Sequence, residues 1–276
     1  RKASEIVGKV NSIGVEGQRI RFFESSALQE VFPEAKIVNA HSLISKIRLL
    51  KDSKEIETLK AAISISEKSL SNTLNFIREN KTELQIKNFL IQELYKNGAE
   101  GLSFDPIVLA SNNSALPHGH SANYELKNGD AILFDFGASI DGYNADITRT
   151  FFLNSANDYQ KDFYNEVLKA NLIGIEKSVV NNTLDIVDDS VLKLLEQSKY
   201  NEFIVHKTGH GLGLDVHEDP YVMRGNIEKI VAGMVITIEP GLYNPNLLGV
   251  RIEDDVFITS EGPEILTKFT KELTII

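Results

Sequence analysis

The sequence contains no cysteine, so it has neither a disulfide framework nor thiolate metal ligands, and any metal ion must be bound by His, Asp and Glu. It has no run of 18 apolar residues, which excludes a membrane-spanning helix. Basic residues are few, with 29 Lys and Arg against 39 Asp and Glu, and the formal net charge is −10. Because nucleic-acid binding depends on clustered positive charge, nucleic acid is not expected as a partner.

The remaining composition is that of an ordinary globular protein, with 42% apolar and 25% charged residues. Its 276 residues provide for one large domain or two small ones with an ample core. The absence of cysteine is in keeping with a cytoplasmic protein. The sequence begins at Arg1 without a signal-like segment, and we expect it to be a fragment of a longer protein.

Residues 1–50 differ in character from the rest of the sequence. The pattern predicts a strand near residues 13–15, a helix over residues 22–31 and a strand over residues 35–38. Two strands and a helix cannot bury both faces of a sheet. We therefore expect further strands, either upstream in a fuller protein or in a partner.

From Lys51 onward, helices and strands come in blocks. Apolar spacing predicts an amphipathic helix over residues 53–77 with Ser53 as its N-cap, and Thr82 with Gln85 forms a capping box that opens a second helix ending near Gly98. Two more helices are predicted near residues 158–180 and 183–198, and strands and turns fill the remainder. This order indicates an α+β fold rather than alternating βαβ units.

One internal repeat is informative. Residues 129–137 (GDAILFDFG) align with residues 233–241 (GMVITIEPG), and each copy has an acid two positions before its last glycine. A second acid follows in both copies, eleven residues after Asp135 at Asp146 and fourteen residues after Glu239 at Glu253. The repeat predicts two related half-domains, each of which contributes a pair of carboxylates to a shared central site.

The surroundings of these acids argue against a surface role. Turns near residues 140–142 and 244–249 would bring each pair together on adjacent antiparallel strands. Isolated acids in hairpins are usually solvent-exposed, but Asp135 lies between Phe134 and Phe136, where desolvation of a carboxylate is costly. Only Arg149 and Arg251 are close in sequence, too few cations for four acids. The pattern therefore predicts bound metal ions.

Histidines supply further candidate ligands. His206, His210 and His217 lie within twelve glycine-rich residues, and although a lone histidine is more often structural, this spacing favours a site. His210 is the best ligand candidate because its glycine neighbours allow close approach of the backbone to a ligand. His217 and His118 are candidates to hydrogen-bond a substrate carbonyl or an oxyanion. The remaining two histidines, His41 and His120, are assigned to structure or surface.

Four carboxylates and one imidazole would balance the charge of two divalent cations. An oxygen-rich ligand set favours manganese, with cobalt or zinc as alternatives. Two such ions would share a bridging water, lower its pKa towards neutral and polarise a substrate carbonyl. The residues thus indicate a two-metal hydrolase.

The motifs DFG followed by DITRTF, TGHGLGLDVHE, TIEPG and RIEDD resemble those of the pita-bread metallopeptidase family over approximately residues 50–276. This family contains Xaa-Pro aminopeptidases, prolidases (Xaa-Pro dipeptidases) and methionine aminopeptidases. The resemblance implies an α+β pita-bread fold, in which two pseudo-symmetric half-domains surround a central antiparallel sheet. It also implies that residues 1–50 are the remnant of an N-terminal α/β domain plus linker, and that residues 51–276 are the catalytic domain.

The resemblance implies a role for each candidate residue. The metal ligands would be Asp135 on one ion, Asp146 and Glu253 as bridges, and His210 and Glu239 on the second ion. Glu239 would also accept the proton of the bridging water and, with His118 and His217, form the catalytic group. Substrate contacts would come from His118, His217, His206 and Arg251, and the arginine would orient the bridging glutamate.

Within the family, the segments LPHG, GLDVHE and VRIEDD resemble the proline-directed branch. The expected activity is that of an Xaa-Pro aminopeptidase, acting on small peptides with proline in second position. Alternatives are an Xaa-Pro dipeptidase, a methionine aminopeptidase and a non-catalytic pita-bread binding module. The family also implies a homodimer.

Overall fold

The structure is a computed structural model that describes residues 2–276, and it divides into two compact units, Arg1–Leu49 and Leu50–Ile276. The first unit contains the elements α1 (Lys2–Val7), β1 (Ser12–Val15), α2 (Phe22–Val31), β2 (Lys36–Asn39) and α3 (His41–Leu49). Strands β1 and β2 are parallel, with Ser12 opposite Lys36. The strand–helix–strand order predicted for this segment is present. Its origin as the remnant of a larger domain stays a prediction.

The second unit carries the remaining elements. Its helices are α4 (Ser53–Leu74), α5 (Glu83–Lys96), α6 (Asp158–Lys177) and α7 (Leu184–Gln197). Its strands are β3 (Gly101–Leu102), β4 (Ile107–Ala110), β5 (Ala131–Phe136), β6 (Ala138–Ile140), β7 (Tyr143–Asn144), β8 (Ile147–Phe152), β9 (Gly209–Gly211), β10 (Glu218–Val222), β11 (Val235–Ile238), β12 (Gly241–Asn244), β13 (Leu248–Arg251), β14 (Asp254–Thr259) and β15 (Gly262–Ile265). Within the described part of the chain, no helix has the length and apolarity needed to cross a membrane.

The sequence repeat corresponds to a structural repeat. In the first copy, β5 pairs antiparallel with β8 and the β6–β7 hairpin lies between them in sequence. In the second copy, β11 pairs antiparallel with β14 and the β12–β13 hairpin occupies the equivalent place. Two helices precede each copy. The prediction of two related half-domains is therefore confirmed, together with the α+β class.

The helix caps were predicted with mixed success. The capping box at Thr82 is present, since its hydroxyl accepts from Gln85 N (3.1 Å) and the Gln85 side chain accepts from Thr82 N (3.1 Å). Ser53 is not the N-cap of α4, and that prediction is wrong. The cap is Asp52, whose carboxylate accepts from the backbone N–H groups of Lys54 and Glu55, both at 2.9 Å. Asp52 N also donates to Glu55 Oε2 at 2.7 Å, and this completed capping box favours Asp52 over Ser53.

The apolar core lies behind the two repeated sheets. Helices α4 and α5 bury Leu70, Ile86 and Leu90 against the β4–β5–β8 sheet. Helices α6 and α7 bury Phe163 and Val191 beside the β12–β13 hairpin. The two half-domains are also joined by the backbone, because Glu253 N donates to Thr148 O at 3.1 Å. The core therefore holds the two acid-bearing strand pairs side by side.

Candidate metal centre

All nine residues predicted for the site line one cavity of about 180 Å³. They are Asp135, Asp146, His210, Glu239, Glu253, His118, His206, His217 and Arg251. The apolar part of the wall is formed by Phe104, Ile107, Pro117 and Val216, and Lys207 completes the lining. This volume is below the roughly 300–1,000 Å³ of pockets for drug-sized ligands, so the cavity suits a small ligand.

Equivalent positions in the two half-domains supply the four acids. Asp135 lies in β5 opposite Thr148, and Asp146 immediately precedes β8. Glu239 follows β11 directly, and Glu253 immediately precedes β14. Each acid is therefore in a strand or at its end, where the backbone is held by ladder hydrogen bonds.

His210 is held in the short strand β9 between two glycines. A Cβ atom added at Gly209 would lie 1.9 Å from Thr237 O, and one added at Gly211 would lie 2.4 Å from Asp219 O. Neither position can carry a side chain without displacing backbone. The glycines therefore allow close approach of the neighbouring strands, and close approach of the backbone to a ligand stays a prediction.

Three side chains converge most closely. Candidate ligand atoms of Asp146, His210 and Glu253 all lie within 4.8 Å of one another, and the three residues are buried. Asp146 Oδ1 and Glu253 Oε1 are buried oxygens that no hydrogen-bond donor of the described residues reaches. Two acceptor atoms facing one small space without donors form a site for a cation.

The imidazole of His210 is oriented for the same purpose. Its Nδ1 lies 3.1 Å from Gly211 O and donates to it, which leaves Nε2 to face the carboxylates. Nε2 lies 3.3 Å from Glu239 Oε1 and 3.8 Å from Asp146 Oδ2. A backbone carbonyl on one ring nitrogen and carboxylates near the other is the usual arrangement of a metal-binding histidine.

The electrostatics of the cluster disfavour a full set of unpaired negative charges. Burial raises the pKa of Asp146 well above its usual range, and the carboxylates of Glu253 and Asp135 add to this shift. Burial also raises the pKa of Glu253, with further contributions from Glu239 and Asp135. For Glu239 burial acts in the same direction, but the hydrogen bond and charge of His210 outweigh it and lower the pKa to about 2. Bound cations would favour the charged form of all four acids.

Asp135 has a different partner from the other acids. Its Oδ2 accepts a hydrogen bond from Arg251 Nη2, and Asp135 is not among the three residues that converge most closely. Arg251 Nε also donates to Thr148 Oγ1 (3.1 Å), whose hydroxyl donates to Glu253 Oε2 (2.6 Å). The arginine thus contacts one acid directly and reaches Glu253 through a threonine. Sequence reasoning missed Thr148, because a threonine in a buried strand carries no distinctive signal.

His206 belongs to a chain of hydrogen bonds that ends at Arg251. Arg251 Nη1 donates to Tyr243 Oη (2.7 Å), the tyrosine hydroxyl donates to His206 Nε2 (2.7 Å), and His206 Nδ1 donates to Lys207 O (2.8 Å). This chain requires a neutral imidazole. In agreement, burial lowers the pKa of His206, and the charge of Arg251 acts in the same direction. Sequence reasoning also missed Tyr243.

His118 is carried by the segment between β4 and β5, and a buried carboxylate anchors both ends of that segment. Glu83 accepts hydrogen bonds from Ala110 N (2.7 Å), Asn113 Nδ2 (3.0 Å) and Ala122 N (2.9 Å). The Glu83 side chain is fully buried. Its three donors fix residues 110–122, and with them the position of His118, which is exposed at the mouth of the cavity.

Comparison with known proteins identifies the class of this fold and site. Residues 57–260 match Metallopeptidase family M24. This match covers most of the chain, and the chain belongs to that family. The chain is therefore a metallopeptidase with the pita-bread fold.

Three relatives are informative. The Xaa-Pro dipeptidase of Pyrococcus furiosus is 35% identical over 273 residues, which cover 98% of this chain and 77% of the relative. A solved structure described as an Xaa-Pro dipeptidase from Bacillus anthracis is 37% identical with a TM-score of 0.94, over 100% of this chain and 77% of the other. The structure of an X-Pro aminopeptidase from Thermotoga maritima is 33% identical with the same TM-score of 0.94, over 100% and 77%.

The residues of the cavity fit a divalent-metal centre. The donorless oxygens of Asp146 and Glu253, the Nε2 atom of His210 that faces the carboxylates and the absence of thiolates suit cations that prefer oxygen and imidazole ligands. Among the described residues, Arg251 is the one guanidinium lining the cavity, and it cannot balance four carboxylates. Arg149, the other arginine close in sequence, pairs instead with Asp254 at 2.7 Å.

Proposed function

We propose that this protein is an Xaa-Pro dipeptidase with a two-ion manganese centre. The observation that supports it most directly is the convergence of Asp146, His210 and Glu253, with two buried carboxylate oxygens that lack donors. The dipeptidase is preferred to the aminopeptidase expected first from the sequence, because two of the three relatives described above are Xaa-Pro dipeptidases. The aminopeptidase remains the second candidate, supported by the structure from Thermotoga maritima.

Two divalent ions held by Asp135, Asp146, His210, Glu239 and Glu253 would supply a water of lowered pKa and polarise the scissile carbonyl. Manganese is our choice for an oxygen-rich set, and cobalt or zinc are the alternatives. For Asp135 to take part, its carboxylate would keep one oxygen on Arg251 and offer the other. A carboxylate has lone pairs enough for both partners.

The protein groups around the ions have separate roles. Glu239 accepts the proton of the attacking water and passes it to the leaving proline nitrogen. His118 and His217 lie at the mouth of the cavity and donate hydrogen bonds to the oxygen that becomes negative in the tetrahedral intermediate. Arg251 and Thr148 hold the Glu253 carboxylate in place.

The substrate chemistry agrees with the shape of the cavity. The bond before proline is a tertiary amide without an N–H, so the site needs no acceptor for such a hydrogen. Phe104, Ile107 and Val216 provide an apolar wall for the proline ring. A volume of about 180 Å³ suits a small peptide.

The test is hydrolysis of Ala-Pro, Ala-Pro-Ala and Met-Ala-Ser by the manganese-loaded protein, with Glu239→Gln as the control variant. We expect cleavage of Ala-Pro above all, and a loss of at least about 100-fold in Glu239→Gln while its fold is retained. Cleavage of Ala-Pro-Ala in preference to Ala-Pro would establish the aminopeptidase instead. Removal of methionine from Met-Ala-Ser alone would establish a methionine aminopeptidase. Turnover in Glu239→Gln near that of the wild type would contradict the role of Glu239.

Three further expectations accompany this proposal. Residues 1–50 are proposed to be the end of an N-terminal α/β domain with its linker, and residues 51–276 to be the catalytic domain. The protein is proposed to act as a homodimer, as the family resemblance implies, and in the cytoplasm, in keeping with the absence of cysteine. A non-catalytic binding module would require lost ligands, whereas all five ligand positions are filled.

A further inference from the structure

Among the described residues, two cationic side chains line the cavity, and they differ in what they contact. Arg251 is engaged on all three nitrogens, by Asp135, by Tyr243 Oη at 2.7 Å and by Thr148 Oγ1 at 3.1 Å. Lys207 is the other cation. Among the described residues, no carboxylate lies within 4.0 Å of Lys207 Nζ, and no hydrogen bond involves that atom. Its charge is therefore available to a ligand.

The position of the lysine is fixed although its charge is unpaired. Its carbonyl oxygen accepts from His206 Nδ1 (2.8 Å), and the next backbone N–H, that of Thr208, donates to the buried Asp188 carboxylate (2.8 Å). The ammonium lies 5.0 Å from the centroid of the Tyr221 ring, which stabilises a cation on one side only. The side chain is partly buried, which limits competition from water for whatever ion it meets.

The lysine is also close to the substrate-side histidines. His206 is its sequence neighbour, and both residues line the cavity as well as an open groove that includes Ile204, Val205 and Met223. Burial is the main cause of the lowered pKa of His206, and the Lys207 ammonium contributes in the same direction. Lys207 therefore lies where the cavity and the groove share a wall.

The chemistry of a dipeptide explains the need for such a cation. In Xaa-Pro the free carboxylate is bonded to the proline Cα, which is itself bonded to the leaving nitrogen. The carboxylate must therefore lie within a few ångströms of the scissile bond, inside the same cavity. In a tripeptide that place is taken by a neutral peptide group, and the chain continues beyond it.

From these contacts we infer that Lys207 binds the C-terminal carboxylate of the dipeptide and so selects dipeptides over longer peptides. The inference rests on the proposed Xaa-Pro dipeptidase activity and adds the residue that determines the length of the substrate. Conversion of this carboxylate to an amide removes its negative charge and leaves the ammonium only a neutral carbonyl acceptor, which weakens the interaction.

The test compares the manganese-loaded chain with its Lys207→Met and Lys207→Arg variants on Ala-Pro and on Ala-Pro amide. In Lys207→Met we expect the ratio of kcat/KM for the dipeptide over the amide to fall about 10- to 100-fold, mainly through KM. Lys207→Arg keeps the charge and should restore most of the ratio. Inhibition by free proline against prolinamide should change in parallel, which gives a readout independent of the chemical step.

The matched control is Lys199→Met, since Lys199 Nζ lies 5.1 Å from the centroid of the Tyr200 ring but the residue does not line the cavity. A ratio that is the same in Lys207→Met and the wild type overturns the inference, as does an equal loss on both substrates. If the wild type cleaves neither Ala-Pro nor Ala-Pro-Ala, the proposed function fails, and the inference fails with it. If the wild type cleaves Ala-Pro and only the ratio is unaffected, the inference alone fails.

Discussion

Lys51 Nζ lies 2.7 Å from Glu218 Oε1, and the two side chains are 1% and 7% exposed. Glu218 directly follows His217, and its other carboxylate oxygen accepts from Asp215 N at 3.4 Å. The pair thus connects the start of the larger unit to the segment that carries a substrate-side histidine. A buried ion pair of this kind restricts where that segment can lie.

Removal of one partner of this pair should be costly. Lys51→Met removes the ammonium from the buried Glu218 carboxylate, and we expect it to lower the free energy of unfolding by about 3–5 kcal/mol. The control is Lys60→Met, because Lys60 pairs with Glu264 at the same 2.7 Å but the side chains are 46% and 38% exposed. An exposed pair contributes about 0–1 kcal/mol. Urea unfolding of both variants measures the difference, and equal losses would contradict the account.

Glu83 should position His118 through the segment it anchors. Glu83→Gln replaces one acceptor oxygen by an amide donor, so one of three buried donors loses its partner, at a cost of about 1–3 kcal/mol. We expect a fall in kcat on Ala-Pro beyond what the loss of stability explains. Glu93→Gln on the same helix is the control, since Glu93 is also buried and accepts from Asn72 Nδ2 (2.6 Å), away from the cavity. Equal kcat in the two variants at saturating manganese would contradict the role of Glu83 in positioning His118.

The stability of the metal-free protein should depend on pH through His206. Burial lowers the pKa of His206 in the folded state, whereas an unfolded histidine titrates near 6.5. The folded state therefore binds this proton less readily, so the stabilisation is present above about pH 6.5 and is lost as pH falls through the folded pKa. Urea unfolding from pH 7.5 to pH 5 should show a steeper loss for the wild type than for His206→Gln. Parallel curves of unfolding free energy against pH would mean that His206 is not held neutral. His120→Gln is the control for the loss of an exposed imidazole.

Asp146→Asn should separate stability from metal binding. In the metal-free protein the Asp146 carboxylate is buried beside Glu253 and Asp135, and burial followed by their charges raises its pKa. Removal of this charge should raise the free energy of unfolding at pH 7.5, on the order of 1 kcal/mol, while manganese binding is lost. Asp162→Asn is the control, and we expect it to lower the free energy of unfolding, because the Asp162 carboxylate pairs with Lys199 Nζ at 2.8 Å. Lower metal-free stability in Asp146→Asn would indicate that the carboxylate serves the fold rather than an ion.

The sequence predicted the acid-bearing strands because their signal is local. The pattern of an apolar strand interrupted by one carboxylate occurs at residues 129–137 and again at residues 233–241. This repeat predicted the two half-domains and the pairing of the strand that carries Asp135 with β8. The contacts that tune the site join residues far apart in sequence, such as Arg251 with Asp135 and Glu83 with Ala122. No periodicity or motif in one segment encodes such a partner. The same reason explains why Thr148, Tyr243 and Lys207 were missed.

The N-cap of α4 shows a second limit of the sequence. Asp52 and Ser53 are adjacent and both are good capping residues, so the pattern allows either start. The structure selects Asp52 because Glu55 Oε2 also accepts from its backbone N–H at 2.7 Å, which completes a capping box. The choice therefore depends on the Glu55 side chain, three residues after the cap.

The buried acids and His210 are expected to hold two metal ions. Titration of the metal-stripped protein with Mn²⁺ in a calorimeter, with Ala-Pro hydrolysis followed at each addition, measures this directly. We expect saturation at two ions per chain and hydrolysis that rises with occupancy. Absence of binding at micromolar Mn²⁺ would contradict it, and a non-catalytic binding module would then be the better description.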